Sequence, residues 1–192
     1  MMMIVVAILA VFFALIVYFV MIYNNLVTLK NNVLRNWSNI DVLLKQRYSE
    51  LPKLIDTCKV YMQYEQSTFE KIVEARKAAV SATDKKDMLA LGQAESTLKA
   101  GLTQLFALAE NYPNLKTDEA FQKLQTRISA LETDIADRRE LYNDSVNRNN
   151  IRIQQIPDVL IARACKFQPF TLLKFEAGET ADVTIDKQFK SA

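Results

Sequence analysis

"NWSNIDVLLKQR", residues 36–47, holds the single tryptophan of a 192-residue chain, and its reading decides the fold. Asparagines, a serine, an aspartate and two cations alternate there with Ile40, Leu43 and Leu44. Two interpretations compete: a chemical site, or the seam of a helix with a polar back. The wider spacing separates them. Val33, Trp37, Ile40, Leu44, Tyr48, Leu51, Ile55, Cys58 and Met62 recur at three- and four-residue steps, which lays them on one helical face. Asn36, Asn39, Lys45 and Gln46 then point to water, and Asp41 precedes Lys45 by one turn as an i,i+4 partner. The stretch reads as a seam.

Composition narrows the chemistry further. Histidine is absent, which removes the commonest proton-transfer side chain near neutral pH and every His-containing nucleophile or metal set. The three glycines, Gly92, Gly101 and Gly178, form no phosphate-cradling loop. Cys58 and Cys165 lie in separate apolar runs and read as small buried hydrophobes. With 24 Lys and Arg against 22 Asp and Glu, no basic footprint for nucleic acid stands out.

"MMMIVVAILAVFFALIVYFVMIY", residues 1–23, carries no charge, glycine or proline. As a helix it rises about 34 Å, enough to cross a hydrocarbon core of about 30 Å. It lacks the basic start and small-residue cleavage site of a signal peptide, so an uncleaved membrane anchor is expected. Lys30, Arg35, Lys45 and Arg47 follow it, and the positive-inside rule then places the N-terminus outside and the body in the cytoplasm. The two unpaired cysteines agree with a reducing compartment.

The body reads as long helices. Pro52 makes residues 24–81 either one kinked helix or two helices meeting near 49–52. "SATDKK", residues 81–86, predicts a break with Thr83 or Asp84 as the next N-cap. Leu91, Ala94, Leu98, Leu102, Leu105, Ala109 and Tyr112 form the following stripe, which ends at the Pro113 turn. A last long helix is predicted from Thr117 or Asp118 to Ile156, striped by Phe121, Leu124, Ile128, Leu131, Ile135, Tyr142, Val146, Ile153 and Ile156. Arg138 and Asn149 are polar positions in that seam, fixing register or meeting a partner. Residues 158–167 predict a short extra helix. The fold class expected is all-α: an anchor over 1–23, an antiparallel four-helix up-and-down bundle over 24–167 (or three long helices, one kinked), and an extended or partly mobile tail over 168–192.

Two surface stretches are candidates for docking a partner. "FEKIVEARKAA", residues 69–79, offers Glu70, Glu74 and Arg76, and "ALAENYPNLK", residues 107–116, offers Tyr112, Pro113 and Asn114. The bland alternatives are a solvated charged face and a turn that merely packs. A carboxylate-based metal enzyme would draw on Glu65, Glu70 and Glu132. The acids at Glu132, Asp134, Asp137 and Glu140 read instead as a charged surface.

Several segments resemble the LemA family of small bacterial membrane proteins: "YNNLV" at 23–27, "NWSNIDVLLKQR" at 36–47, "LPKLI" at 51–55, "EARKAA" at 74–79 and "AENYPNLK" at 109–116. "FQKLQ" at 121–125, "RRELYNDSV" at 138–146 and "FEA" at 175–177 continue the likeness in the same order. The resemblance implies an N-terminal anchor and a cytoplasm-facing antiparallel bundle, with no catalytic residues to carry over. Tyr64 stands where the family often has a histidine, and Ile156 where it often has a phenylalanine. A non-enzymatic adaptor or regulator of another membrane protein is the expected function, with a self-assembling scaffold as the alternative. The expected partners are the membrane and another membrane protein or a second copy. No nucleic acid, small-molecule substrate, cofactor or metal is expected.

Overall fold

The computed structural model describes residues 1–175. The described chain is all-α: α1 Met2–Tyr61, α2 Gln66–Lys85, α3 Met88–Ala109, α4 Pro113–Lys116, α5 Glu119–Arg152 and α6 Asp158–Ala164. It divides into two units, Met1–Val42 with Ile135–Leu172, and Leu43–Asp134 with Leu173–Ala192, the second described as far as residue 175.

In the first unit, residues 2–21 of α1 expose every side chain, and this is the one helix among the described residues long and apolar enough to cross a membrane. Beyond it α1 and α5 run antiparallel. Trp37 lies tilted against Tyr142 with ring centroids 5.8 Å apart, so the seam reading of the tryptophan holds. Asn36 Nδ2 donates to the Leu141 carbonyl at 3.3 Å. Ile22, Leu26, Ile153, Ile161 and Ala162 close a buried cluster, with Phe167 packed against it.

The second unit is an up-down-up-down arrangement of the end of α1, α2, α3 and the start of α5. Tyr61 reaches Asp118 and Arg47 reaches Glu132, which sets α5 antiparallel to α1. Arg76 reaches back to Tyr48, which sets α2 antiparallel to α1. Leu44, Leu51, Leu54, Ile72, Leu91, Leu98, Leu105 and Ile128 fill its core.

Pro52 neither ends nor replaces the helix, which runs through it to Tyr61. A proline has no N–H to offer the carbonyl four residues earlier, here that of Tyr48. Arg76 supplies the missing donor: its Nε donates to the Tyr48 carbonyl at 2.7 Å. Arg76→Met is expected to cost about 1–3 kcal/mol by orphaning that carbonyl. In the Pro52→Ala background, where the backbone amide returns, the same change should cost clearly less. Urea titration of the four proteins checks the coupling.

Four boundaries differ from the sequence expectation. α1 and α2 are separated at Met62–Glu65 rather than joined, and the signal is a gap in the stripe: the one-turn positions between Met62 and Phe69 are the polar Glu65 and Gln66. α2 continues through Thr83 and Asp84, because the Thr83 hydroxyl donates to the Ala79 carbonyl at 2.8 Å and is satisfied inside the helix. The N-cap is Asp87, whose carboxylate accepts from Leu89 N and Ala90 N at 3.1 and 3.0 Å, after Lys86 turns left-handed at φ 55°. α5 stops at Arg152, so Ile156 leaves the stripe and is exposed. Cys165 is exposed too, because it follows the last turn of a helix only seven residues long; Cys58 is buried as expected.

Of the expected tail, residues 168–175 form no helix or strand. Asn150 holds the backbone of Phe170 through both its N–H and its carbonyl, at 2.9 and 2.8 Å, and Tyr142 donates to the Thr171 carbonyl at 2.9 Å. Residues 176–192 lie outside the described residues.

Candidate functional site

Arg47 was expected among the cations that follow the anchor. It is 2% exposed, inside the second unit. The reason is its phase: it sits three residues after Leu44 and four before Leu51, within the apolar stripe. Glu95 is 1% exposed on α3, between Leu91 and Leu98, by the same logic. Two ionisable residues at stripe spacing were the available signal for this pair.

The guanidinium pairs through Nη2 with Glu95 and through Nη1 with Glu132 Oε1 at 2.8 Å. The Tyr48 hydroxyl donates to the other oxygen of Glu95 at 2.6 Å, and the Tyr48 ring lies 5.6 Å from the guanidinium carbon. Burial works against the charge of Arg47, but Glu95 and Glu132 outweigh it and hold the group protonated above its ordinary value. Burial and the Glu95 carboxylate push the Tyr48 phenol well up, so it remains a donor. Among the described residues the Arg47 Nε has no hydrogen-bond partner. One cation between two carboxylates on α3 and α5 ties three helices of the unit together.

The expected surface residues take different places. Glu70 and Glu74 are exposed on α2 and rim a groove of about 540 Å³, with Lys59 and Lys77 as the opposing charges and the half-buried Val73 as its apolar lining, over the buried Met62 and Phe69. Arg76 is half-buried, with its Nε committed to the Tyr48 carbonyl. Tyr112 is half-buried and its hydroxyl donates to Glu65 Oε1 at 3.4 Å, linking the α3–α4 turn to the α1–α2 turn. Pro113 opens α4, and Asn114 beside it is exposed.

In the seam, Asn149 is buried and its Oδ1 has no hydrogen-bond partner among the described residues. Arg138 is exposed, a correction to the sequence expectation: the inward step from Ile135 to Tyr142 falls on Arg139, which is half-buried.

The three carboxylates considered for metal chemistry are dispersed. Glu65 receives Tyr112, Glu70 receives Gln66 Nε2 at 2.9 Å, and Glu132 receives Arg47. Among the described residues no group of three His, Cys, Asp or Glu is placed to hold a metal ion.

The Asp118 carboxylate caps the start of α5. The backbone N–H of Phe121, at 2.9 Å, and the Tyr61 hydroxyl, at 3.1 Å, hold it below its ordinary value of 3.8 despite partial desolvation. A carboxyl with a depressed folded pKa gives stability that is present above 3.8 and lost as pH falls through the folded value. Asp118→Asn keeps a capping oxygen without the charge. Its melting temperature should therefore fall less steeply than the parent's below pH 3.8, measured by circular dichroism.

The chain is similar to known proteins over most of its length. The model of the LemA family matches residues 36–187. Protein LemA of Metamycoplasma hominis is 28% identical over 164 residues, covering 85% of this chain and 73% of the relative. Magnetosome protein MamQ 2 and magnetosome protein MamQ 1 of Paramagnetospirillum magneticum are each 25% identical over 195 residues, covering 89% of this chain and 72% of theirs. LemA is not known as a family of enzymes. From the matched span, the apolar start of α1 and the all-helical fold, this chain is a membrane-associated protein and belongs to the LemA family.

Proposed function

We propose that the chain is a non-enzymatic, single-pass membrane protein that presents its helices to another membrane protein as an adaptor or regulator. Residues 1–23 are its anchor, 24–167 its bundle and 168–192 its tail, with the N-terminus outside and the bundle in the cytoplasm. The exposed cations Lys30 and Arg35 beyond the apolar stretch support that orientation, whereas Arg47 is engaged internally. Confinement to a membrane raises the effective concentration of the bundle near other membrane proteins, so a modest groove suffices for a specific encounter.

The observation that carries the reading is the groove whose accessible apolar lining is Val73, over the buried Met62 and Phe69, with Lys59, Glu70, Glu74 and Lys77 on its rim. An apolar centre with a charged rim is the ordinary anatomy of a protein-binding patch. A photo-crosslinking residue placed at Glu70 or Glu74 in the full-length membrane protein tests it. The expected result is one reproducible membrane protein, lost on Glu74→Lys. Capture of the same chain alone establishes a self-assembling scaffold instead. Metal found by elemental analysis in protein purified without chelator, with activity lost on Glu→Gln changes, overturns the non-enzymatic reading.

A further inference from the structure

In the first unit α5 runs toward the apolar start of α1. Trp37 meets Tyr142, and eleven residues further on, just past the end of α5, Ile153 closes with Ile22 and Leu26. At 1.5 Å per residue the turn after Arg152 comes roughly level with Ile22 and Tyr23, where the uncharged stretch ends. Arg152 pairs there with the buried Asp158 at the start of α6, and the Phe167 ring stands edge-on to Tyr23 at 6.0 Å. α6 is thereby fixed beside the end of the apolar stretch.

This end of the unit exposes what a water-facing turn would bury. Ile156 is 87% exposed in the turn and Leu160 68% on α6, four residues apart, with Ile151 also exposed. The unneutralised charge around them has one sign. Arg148 pairs with Asp144 and Arg152 with Asp158, which leaves Arg163 and Lys166 as exposed cations with no acid among residues 159–173. Exposed aliphatics flanked by cations and an aromatic pair, at the border of a membrane span, match the chemistry of an anionic lipid interface.

We propose that the α5–α6 turn and α6 form a second, interfacial membrane contact, in which Ile156 and Leu160 enter the headgroup–acyl boundary while Arg163 and Lys166 engage anionic headgroups. The inference rests on α1 spanning the membrane. With two points of attachment, α1 is fixed in rotation about its own axis rather than free to spin on a single span.

The native thiols provide the probe. Cys165 is exposed and two residues from Phe167, whereas Cys58 is buried with its thiol pushed up to about 12, so a thiol-reactive fluorophore reports from Cys165. Full-length labelled protein is reconstituted into phosphatidylcholine–phosphatidylglycerol vesicles, washed in alkaline carbonate and exposed to lipids spin-labelled at the headgroup or deep in the chain. Strong quenching by headgroup labels, reduced several-fold both in pure phosphatidylcholine and by Ile156→Asp with Leu160→Asp, is the expected result. Retention on the vesicles without headgroup quenching overturns the interfacial contact alone. Loss from washed vesicles overturns the membrane-span reading and the contact with it. Shielding of the dye that rises with protein density and ignores the lipid label identifies a second copy as the occupant, which also overturns the proposal. The parent measurement needs no substitution, so a folding defect in the variant cannot decide the matter.

Discussion

Arg47→Met is expected to lower the unfolding free energy by about 3–5 kcal/mol, because it strands the buried Glu95 carboxylate without its cation. For a protein of this size that is a fall in Tm of about 6–20 °C. Glu132 loses less, since its side chain is 25% exposed and reaches water. Glu95→Leu combined with Arg47→Met removes both buried charges, and it should recover most of the loss, leaving chiefly the Tyr48 hydroxyl without its acceptor. The two single variants and the double form a cycle readable by urea denaturation. A loss below about 1 kcal/mol for Arg47→Met would show that the guanidinium is solvated, as an exposed ion pair is, and not held in the core.

Gly92→Ala pits two effects against each other. In a free helix the change should stabilise by about 1 kcal/mol, since glycine is the poorer helix former. On α3, however, the new Cβ would stand 1.9 Å from the Lys174 carbonyl oxygen and 3.1 Å from its carbon. The obstacle is backbone, so the segment from Leu173 must move and the buried Leu173 with it. Overpacking of this kind costs about 1–3 kcal/mol, which exceeds the helical gain. Net destabilisation is expected, with faster hydrogen exchange at residues 173–175. Gly101→Ala is the control: its Cβ meets only the Ile72 side chain, at 3.0 Å, which can shift by a few tenths of an ångström. A stabilised Gly92→Ala would refute the close approach of this segment to α3.

These two sites mark where sequence reading stops. The stripes that define α1, α3 and α5 were legible because burial on one helical face forces three- and four-residue recurrence whatever lies opposite. Leu91, Leu98, Leu105, Ile128 and Ile135 are buried as that rule requires. Arg47 and Glu95 lie on the same faces, yet charge normally signals solvent, so each alone reads as surface. Only their mutual placement, 48 residues apart in the chain, makes burial tolerable. Gly92 likewise carries no local sign of the strand of backbone that lies over it.

Pro52 illustrates the same division. Its local chemistry predicts a break, and the helix continues because Arg76, 28 residues from Tyr48, replaces the donor that proline lacks. Conversely, the α1–α2 reversal at Met62–Glu65 has no glycine or proline to announce it. The sequence by itself determined the helical class, the apolar stretch at 1–23 and the faces that turn inward, since these follow from composition and period within single segments. Tertiary structure alone decided which charges are buried, where Pro52 is tolerated and that Ile156 is turned outward, because each depends on a partner or a helix end supplied from elsewhere in the chain.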